Sequence, residues 1–277
     1  FNTKQICSAI EEAQNNQAKI VVFPELCVTG YTCGDLFTQD VLLQAAKQAL
    51  LEITEFTREK DMLVFVGVPL VVDAKLYNVA AALCRGEILG LTTKTFLPNY
   101  GEFYEMRQFT AGPDVPGEIL FNGKKVPFGP GLLFQASSME ELIVSAEICE
   151  DVWSPIPPSI RAAMEGATVI VNCSASDETI GKDSYLSLIH ISEPTIYANA
   201  GEGESTTDLV FGGHNLIAEN GSILAESKRF ENQIIYTELD IKRIVGERRK
   251  NTTFTMEKEK VLPRISFPLD VCETKLT

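Results

Sequence analysis

Glu25, Lys94 and Cys149 each follow directly on a run of apolar and β-branched residues, KIVVFP, EILGLTT and ELIVSAEI. Such runs read as strands, and in α/β sheets the loops beyond the carboxyl ends of strands open on a common edge where catalytic groups collect. A carboxylate, an ammonium and a thiol at three such ends make a coherent set. A thiol of ordinary pKa, about 8.5, is a weak nucleophile at neutral pH until a base takes its proton or a cation favours the thiolate. Glu25 can be that base and Lys94 that cation. With a carbonyl substrate, Lys94 would also stabilise the oxyanion of a tetrahedral intermediate, and Glu25 could protonate a leaving amine and then activate water. The products would be an acid and ammonia or an amine. Cys149 runs into Glu150, Asp151 and Trp153-Ser154-Pro155, which predicts a tight turn presenting the thiol. Taken singly, each residue has a plain alternative: a loop carboxylate, a solvated lysine, a cysteine filling a core.

The elements that must position these residues alternate between helix and strand. Gln5 to Gln17 carries Ile6, Ala9, Ile10 and Ala13 at helical spacing, and Lys19 to Pro24 then reads as a buried strand. Val41 to Arg58 is a second amphipathic helix and Met62 to Val72 a second strand. Leu76 to Cys84, Glu87 to Phe96, Leu132 to Gln135, Leu142 to Ile148 and Ala167 to Asn172 are further strands, with a short helix over Ser159 to Glu165. Leu209 to Ile217 and Ser222 to Ser227 read as a hairpin across Glu219-Asn220-Gly221. Alternation mixed with hairpins predicts a layered α/β sandwich in a single domain rather than a doubly wound parallel sheet. Beyond Asp240 the charge density rises; Lys250 to Lys260 reads as an exposed connector, and Val261 to Leu269 as a segment returning to the body or reaching a neighbour.

With 277 residues, 45% of them hydrophobic, the chain can bury a large core. A net charge of −14 argues against a phosphate-backbone reader, so nucleic acid is not an expected partner. No apolar run is long enough to span a bilayer and Phe1 to Gln5 has neither part of a signal peptide, so a cytoplasmic protein that does not engage membranes is expected. A start at Phe1 without methionine predicts a fragment of a longer chain. The seven cysteines, at 7, 27, 33, 84, 149, 173 and 272, are odd in number and contain no Cys-x-x-Cys pair, which predicts free thiols and no metal site. His190 and His214 are the two histidines. His190 lies in Leu186 to Thr195, LSLIHISEPT, which Pro194 would break as a helix and which is similar to a frame translation of a transposon-end sequencing adapter; no function is expected of it. His214 reads as structural. Gly201-Glu202-Gly203-Glu204 is too short and acidic to cradle phosphate.

The strings VVFPELCVTGY, KTFLPNYGEFYE, AEICEDVW, NCSAS and GEGESTTDLVFGGHNLIAENG, in this order, resemble the carbon-nitrogen hydrolase (nitrilase) superfamily, most closely the glutaminase domains of glutamine-dependent NAD synthetases. The resemblance covers nearly the whole chain apart from Leu186 to Thr195. It implies a nitrilase-like α-β-β-α sandwich over residues 1–245, truncated at its N-terminus, with 246–277 a connector towards an absent ATP-binding synthetase domain. It implies that Glu25 is the general base, Lys94 the oxyanion stabiliser, Cys149 the nucleophile and Glu102 a supporting glutamate that holds the lysine and base. Tyr100, Ser176 and Lys182 match positions that contact substrate glutamine, with Glu150 and Trp153 lining the pocket. L-glutamine, a covalently linked synthetase domain and further copies of the chain are the implied partners. No cofactor is implied for this domain; ATP and magnesium belong to the absent one. Two other readings share the motifs: a free-standing nitrilase-like ω-amidase, which the strings LPNYGEFYE and GEGESTTDLVFGGHN disfavour, and a catalytically dead assembly domain.

Overall fold

The computed structural model describes residues 1–182, 194–206, 208–251 and 261–270. Two β-sheets pack face to face with helices on their outer sides, the nitrilase-like α-β-β-α sandwich. The first sheet holds β1 (Ile20–Val22), β2 (Leu63–Val72), β3 (Lys75–Cys84), β4 (Glu87–Thr93), β5 (Gly117–Phe121) and β6 (Lys124–Gly129), in the order β1-β2-β3-β4-β6-β5. The second holds β7 (Leu133–Ala136), β8 (Ile143–Ile148), β9 (Val169–Ser174), β10 (Thr195–Asn199), β11 (Leu216–Glu219), β12 (Ser222–Glu226) and β13 (Arg264–Phe267), in the order β12-β11-β10-β9-β8-β7-β13. The helices are α1 (Asn2–Asn15), α2 (Asp40–Phe56), α3 (Pro158–Met164) and α4 (Ile241–Lys250).

Burial explains why the β2 sequence reads as an unbroken apolar run. Alternate residues face opposite ways, and both faces of this strand are covered. Leu63 and Phe65 point between the sheets, where the Phe65 ring meets Phe134 of β7 edge-on at 5.6 Å between centroids. Val64 and Val66 point outward against Ile6 and Ile10 of α1 and Leu50 and Ile53 of α2. Both helices present the apolar stripe visible in their sequences, so the periodicity that predicts them is the face they bury. α3 packs Ala162 against the outer side of the second sheet with Leu133, Ile143 and Ile170.

Expectation and structure differ in several places: β11 begins only at Leu216, so most of the expected strand Leu209 to Ile217 lies ahead of the hairpin with β12. The β5–β6 hairpin is half exposed and carries Glu118, Lys124 and Lys125, so it shows no buried-strand signal. β1 is shorter than the expected strand and half-buried. Of Leu186 to Thr195, all but Pro194 and Thr195 lie outside the described residues; Thr195 opens β10, which pairs in parallel with β9. The expected division at 245/246 falls inside α4. Its Asp240 cap accepts the Arg243 N–H at 2.9 Å, and Ile241 and Ile244 enter the core between the sheets. Farther on, β13 pairs in parallel with β7 and buries Phe267 completely, so the C-terminal stretch returns to the body of this chain. Most of Lys250 to Lys260 lies outside the described residues.

Candidate active site

The site lies where the loops after β1, β4, β8 and β9 meet. Glu25 sits in the turn that leaves β1, fully buried, with Leu26 in the left-handed region at φ 51°. The turn can lie this close to the sheet because residue 67 is glycine. A Cβ there would come within 2.5 Å of Pro24 O and closer still to Leu26 N. Gly67 O also accepts the Val28 N–H at 3.1 Å, which ties the far side of the turn to β2. Cys149 begins a 3₁₀ turn (Cys149–Trp153) at the end of β8 and is itself left-handed, at φ 45°. A non-glycine residue in that conformation costs roughly 1–3 kcal/mol, a strain characteristic of functional turns. Asn172 Oδ1 accepts the Cys149 N–H at 3.2 Å from the neighbouring strand β9 and so holds the turn.

Lys94 follows β4 and is buried. Its ammonium donates to Glu25 Oε1 at 2.7 Å and to Glu105 Oε1 at 2.6 Å. Asn78 of β3 braces this pair from both sides, donating from Nδ2 to Glu25 Oε1 at 2.6 Å and accepting the Lys94 backbone N–H on its main-chain carbonyl at 2.9 Å. The Ala175 N–H donates to Glu25 Oε2 at 3.0 Å. Asp151, buried two residues after the thiol, joins the two loops. Its Oδ1 accepts the Thr95 and Phe96 N–H groups at 3.0 and 2.8 Å, and its Oδ2 accepts the Ile148 N–H at 3.0 Å. The lysine loop and the cysteine turn are thereby held by one carboxylate, whose pKa burial pushes up to about 8 against the pull of those N–H groups.

The glutamate on Lys94 is Glu105, not Glu102. After Gly101, at φ 59°, the chain turns so that the Glu105 N–H reaches Pro98 O at 3.1 Å and the short 3₁₀ turn Glu105–Arg107 begins. This sends Glu105 inward, while Glu102 stays on the rim of a cavity of about 450 Å³ that Tyr31, Phe103, Glu105 and Asp208 also line. Tyr31 donates its hydroxyl to Glu105 Oε1 at 2.8 Å. Glu105 Oε2 has no hydrogen-bond partner among the described residues. Burial, with the Glu25 charge adding to it and Lys94 and Tyr31 opposing, raises the Glu105 carboxyl to about 7.

These charges fix the protonation of the centre. Burial pushes the Lys94 pKa down, but Glu105 and Glu25 outweigh it and the ammonium titrates well above the ordinary lysine value. Burial and then the negative charge of Glu25 push the Cys149 thiol well up, against Lys94 and a hydrogen bond from the Ala175 N–H. The resting group is a thiol, so the arrangement needs a base at the moment of attack.

The expected substrate-binding residues form an outer tier in two groups. Tyr100, on the surface, donates to Glu150 Oε1 at 2.8 Å, and burial with that carboxylate raises its phenol to about 12. Lys182 donates to Ser176 Oγ at 2.6 Å, to Asp177 O at 2.7 Å and to Asp177 Oδ1 at 2.8 Å, and lies over the Trp153 ring at 6.0 Å from its centroid. Trp153 also packs against Tyr197, Leu216 and Ala218, so it is partly a core residue. Asn199 fixes Ser176, accepting its N–H at 2.7 Å and donating to its carbonyl at 3.1 Å. Cys173 is fully buried in the core between the sheets. His214 is buried against Glu226, 2.6 Å away; His190 lies outside the described residues. Among the described residues no His, Cys, Asp or Glu cluster is placed to hold a metal ion, and no helix is long and apolar enough to cross a membrane.

The family model for carbon-nitrogen hydrolases matches residues 2–249. The chain belongs to the carbon-nitrogen hydrolase family. A glutamine-dependent NAD(+) synthetase from Mycobacterium leprae is 38% identical over 262 residues, which cover 91% of this chain and 38% of that protein. One from Aquifex aeolicus is 33% identical over 96% of this chain and 45% of its own length. The chain thus spans less than half the length of these relatives. Among solved structures, a glutamine-dependent NAD(+) synthetase from Cytophaga hutchinsonii superimposes with a TM-score of 0.72 at 32% identity, over 82% of this chain and 38% of that one. An amidase from Nesterenkonia sp. shares the fold, with a TM-score of 0.63 at 22% identity over 83% of this hydrolase chain and 80% of its own. The family suggested by the five motifs is therefore the family that matches, and the two-sheet sandwich is its fold.

Proposed function

We propose that this carbon-nitrogen hydrolase chain is the glutamine-hydrolysing unit of a glutamine-dependent NAD synthetase. The observation that carries the reading is the buried Lys94 ammonium between Glu25 and Glu105, beside a Cys149 thiol held on a strained turn. Glu25 takes the thiol proton as sulfur attacks the side-chain amide carbon of L-glutamine, forming the C–S bond. The carbonyl electron pair moves to oxygen. An ammonium has three donors; among the described residues Glu25 and Glu105 engage two of those of Lys94, and the third serves the oxyanion. Collapse of the intermediate breaks the C–N bond, and the proton held by Glu25 goes to the departing nitrogen as ammonia. Glu25 then deprotonates water, which attacks the thioester; the C–S bond breaks, the thiol recovers its proton and glutamate leaves. Every step uses side chains of this chain and water.

In the outer tier, Glu150 and Asp177 offer carboxylates to the α-ammonium of glutamine, and Lys182, Ser176 and Tyr100 offer donors to its α-carboxylate. Trp153 forms an apolar wall. Relatives more than twice as long as this chain support the remainder of the proposal: a linked synthetase domain, using ATP and magnesium, consumes the ammonia to convert deamido-NAD to NAD. Alkylation by a glutamine-analogue diazo-ketone tests the hydrolase, with the adduct located by peptide mass spectrometry. The expected result is labelling at Cys149 that excess glutamine blocks and Cys149→Ala abolishes. Labelling that another small ω-amide blocks better would replace glutamine as the substrate, and a folded chain with no labelling would overturn the enzyme.

A further inference from the structure

The acidic string Gly201-Glu202-Gly203-Glu204 lies outside the residues assigned so far, yet it reaches the site. Glu204 is half-buried, and its carboxylate closes on the turn that carries the chain away from Glu25. Oε1 accepts the Tyr31 N–H at 2.7 Å; Oε2 accepts the Thr32 N–H at 3.0 Å and the Thr32 hydroxyl at 2.6 Å. Thr32 Oγ1 in turn accepts the Ser205 N–H at 2.9 Å, so the two loops are latched in both directions. The turn brings its amides to this carboxylate because Gly30 adopts φ 97°, a conformation closed to most side chains.

Two consecutive backbone N–H groups held by one carboxylate fix the Cα of Tyr31, and with it the reach of the side chain. Phe211 holds the ring edge-on, 5.9 Å away, and the hydroxyl ends 2.8 Å from Glu105 Oε1, the oxygen that also accepts from Lys94. A continuous path therefore runs from Glu204 through the Tyr31 backbone and hydroxyl to Glu105 and Lys94. We infer that Glu204 is a positioning residue for the hydrolysis: it sets where the Tyr31 hydroxyl meets Glu105, and through Glu105 where the Lys94 ammonium points. Glu204 touches neither the thiol nor the proposed substrate groups, so its effect falls on the bond-making step rather than on binding. The inference rests on the hydrolase reading above.

The test compares Glu204→Gln, Tyr31→Phe and the double variant in the same diazo-ketone alkylation, measuring the limiting rate, the half-saturating concentration and the thermal midpoint. Misplacement of a reacting group by about 1 Å costs up to about 100-fold in rate. Each single variant is therefore expected to slow alkylation by about 10- to 100-fold, with half-saturation changed less than about threefold. Because both cut the same path, the double variant should lie within about threefold of Tyr31→Phe alone. Unchanged rates in Glu204→Gln, or losses that multiply in the double variant, overturn the inference. If Glu204→Gln does not fold, Thr32→Val, which removes one of the three donors, replaces it in the cycle with a smaller loss and the same non-additivity. Failure of the wild-type chain to label at Cys149 refutes the hydrolase and this inference together, whereas wild-type labelling with an unaffected Glu204→Gln refutes this inference alone.

Discussion

Replacing Glu105 by glutamine separates its electrostatic role from its shape. Burial raises this carboxyl from an ordinary 4.5 to about 7, so the folded protein holds the proton more tightly than the unfolded chain. The linkage runs accordingly: below pH 4.5 both states are protonated, between 4.5 and 7 the folded state gives up relative stability as pH rises, and above 7 the loss is complete. About 2.5 pH units at 1.36 kcal/mol each is about 3 kcal/mol at this nearly fully buried site. Glu105→Gln removes that pH dependence. Measured by urea unfolding, the stability of the variant relative to wild type should therefore improve by about 3 kcal/mol between pH 4.5 and 7.5. Catalysis should move the other way. Without the second anion the Lys94 ammonium loses one of its two carboxylate partners, and the limiting rate of Cys149 alkylation should fall by about 100-fold at pH 7.5. A relative stability that is flat between the two pH values would refute the burial-raised pKa of Glu105, and an unimpaired rate would refute its assignment as the charged partner of Lys94.

Two further outcomes test the scaffold. Gly67→Ala places a methyl group against the backbone of the Glu25 turn and should displace Glu25 from Lys94, lowering Cys149 alkylation at least about tenfold and the unfolding free energy by about 1–3 kcal/mol for the overpacked contact; an unchanged rate would mean that the turn does not depend on that close approach. Phe267→Ala removes a fully buried ring of β13 and should cost about 3–5 kcal/mol in denaturant unfolding, whereas a change within about 0.5 kcal/mol would show that the C-terminal stretch is not docked on the second sheet.

The candidate trio Glu25, Lys94 and Cys149 is legible in the sequence because each member follows an apolar run, and strand ends share an edge. The supporting glutamate is not. Glu102 and Glu105 stand in one short string, each beside an aromatic residue, and only the turn after Gly101 decides which of the two faces Lys94. Asp151 and Asn78 escape for a related reason: the carboxylate that accepts the Thr95 and Phe96 N–H groups and the amide that donates to Glu25 act across more than 50 residues of sequence. Glu204 is the extreme case, since the sequence says of its string only that it is too short and acidic to cradle phosphate, and folding alone brings the Tyr31 and Thr32 amides to it.

Helix faces, buried strands and the position of the thiol at a strand end follow from the sequence itself, because hydrophobic periodicity records which side of an element is dry. The half-exposed β5–β6 hairpin, the parallel return of β13 and the partners of the buried charges follow only from the tertiary structure. An edge strand and a buried ion pair are stabilised by what lies across from them, and the sequence around an element does not say what that will be.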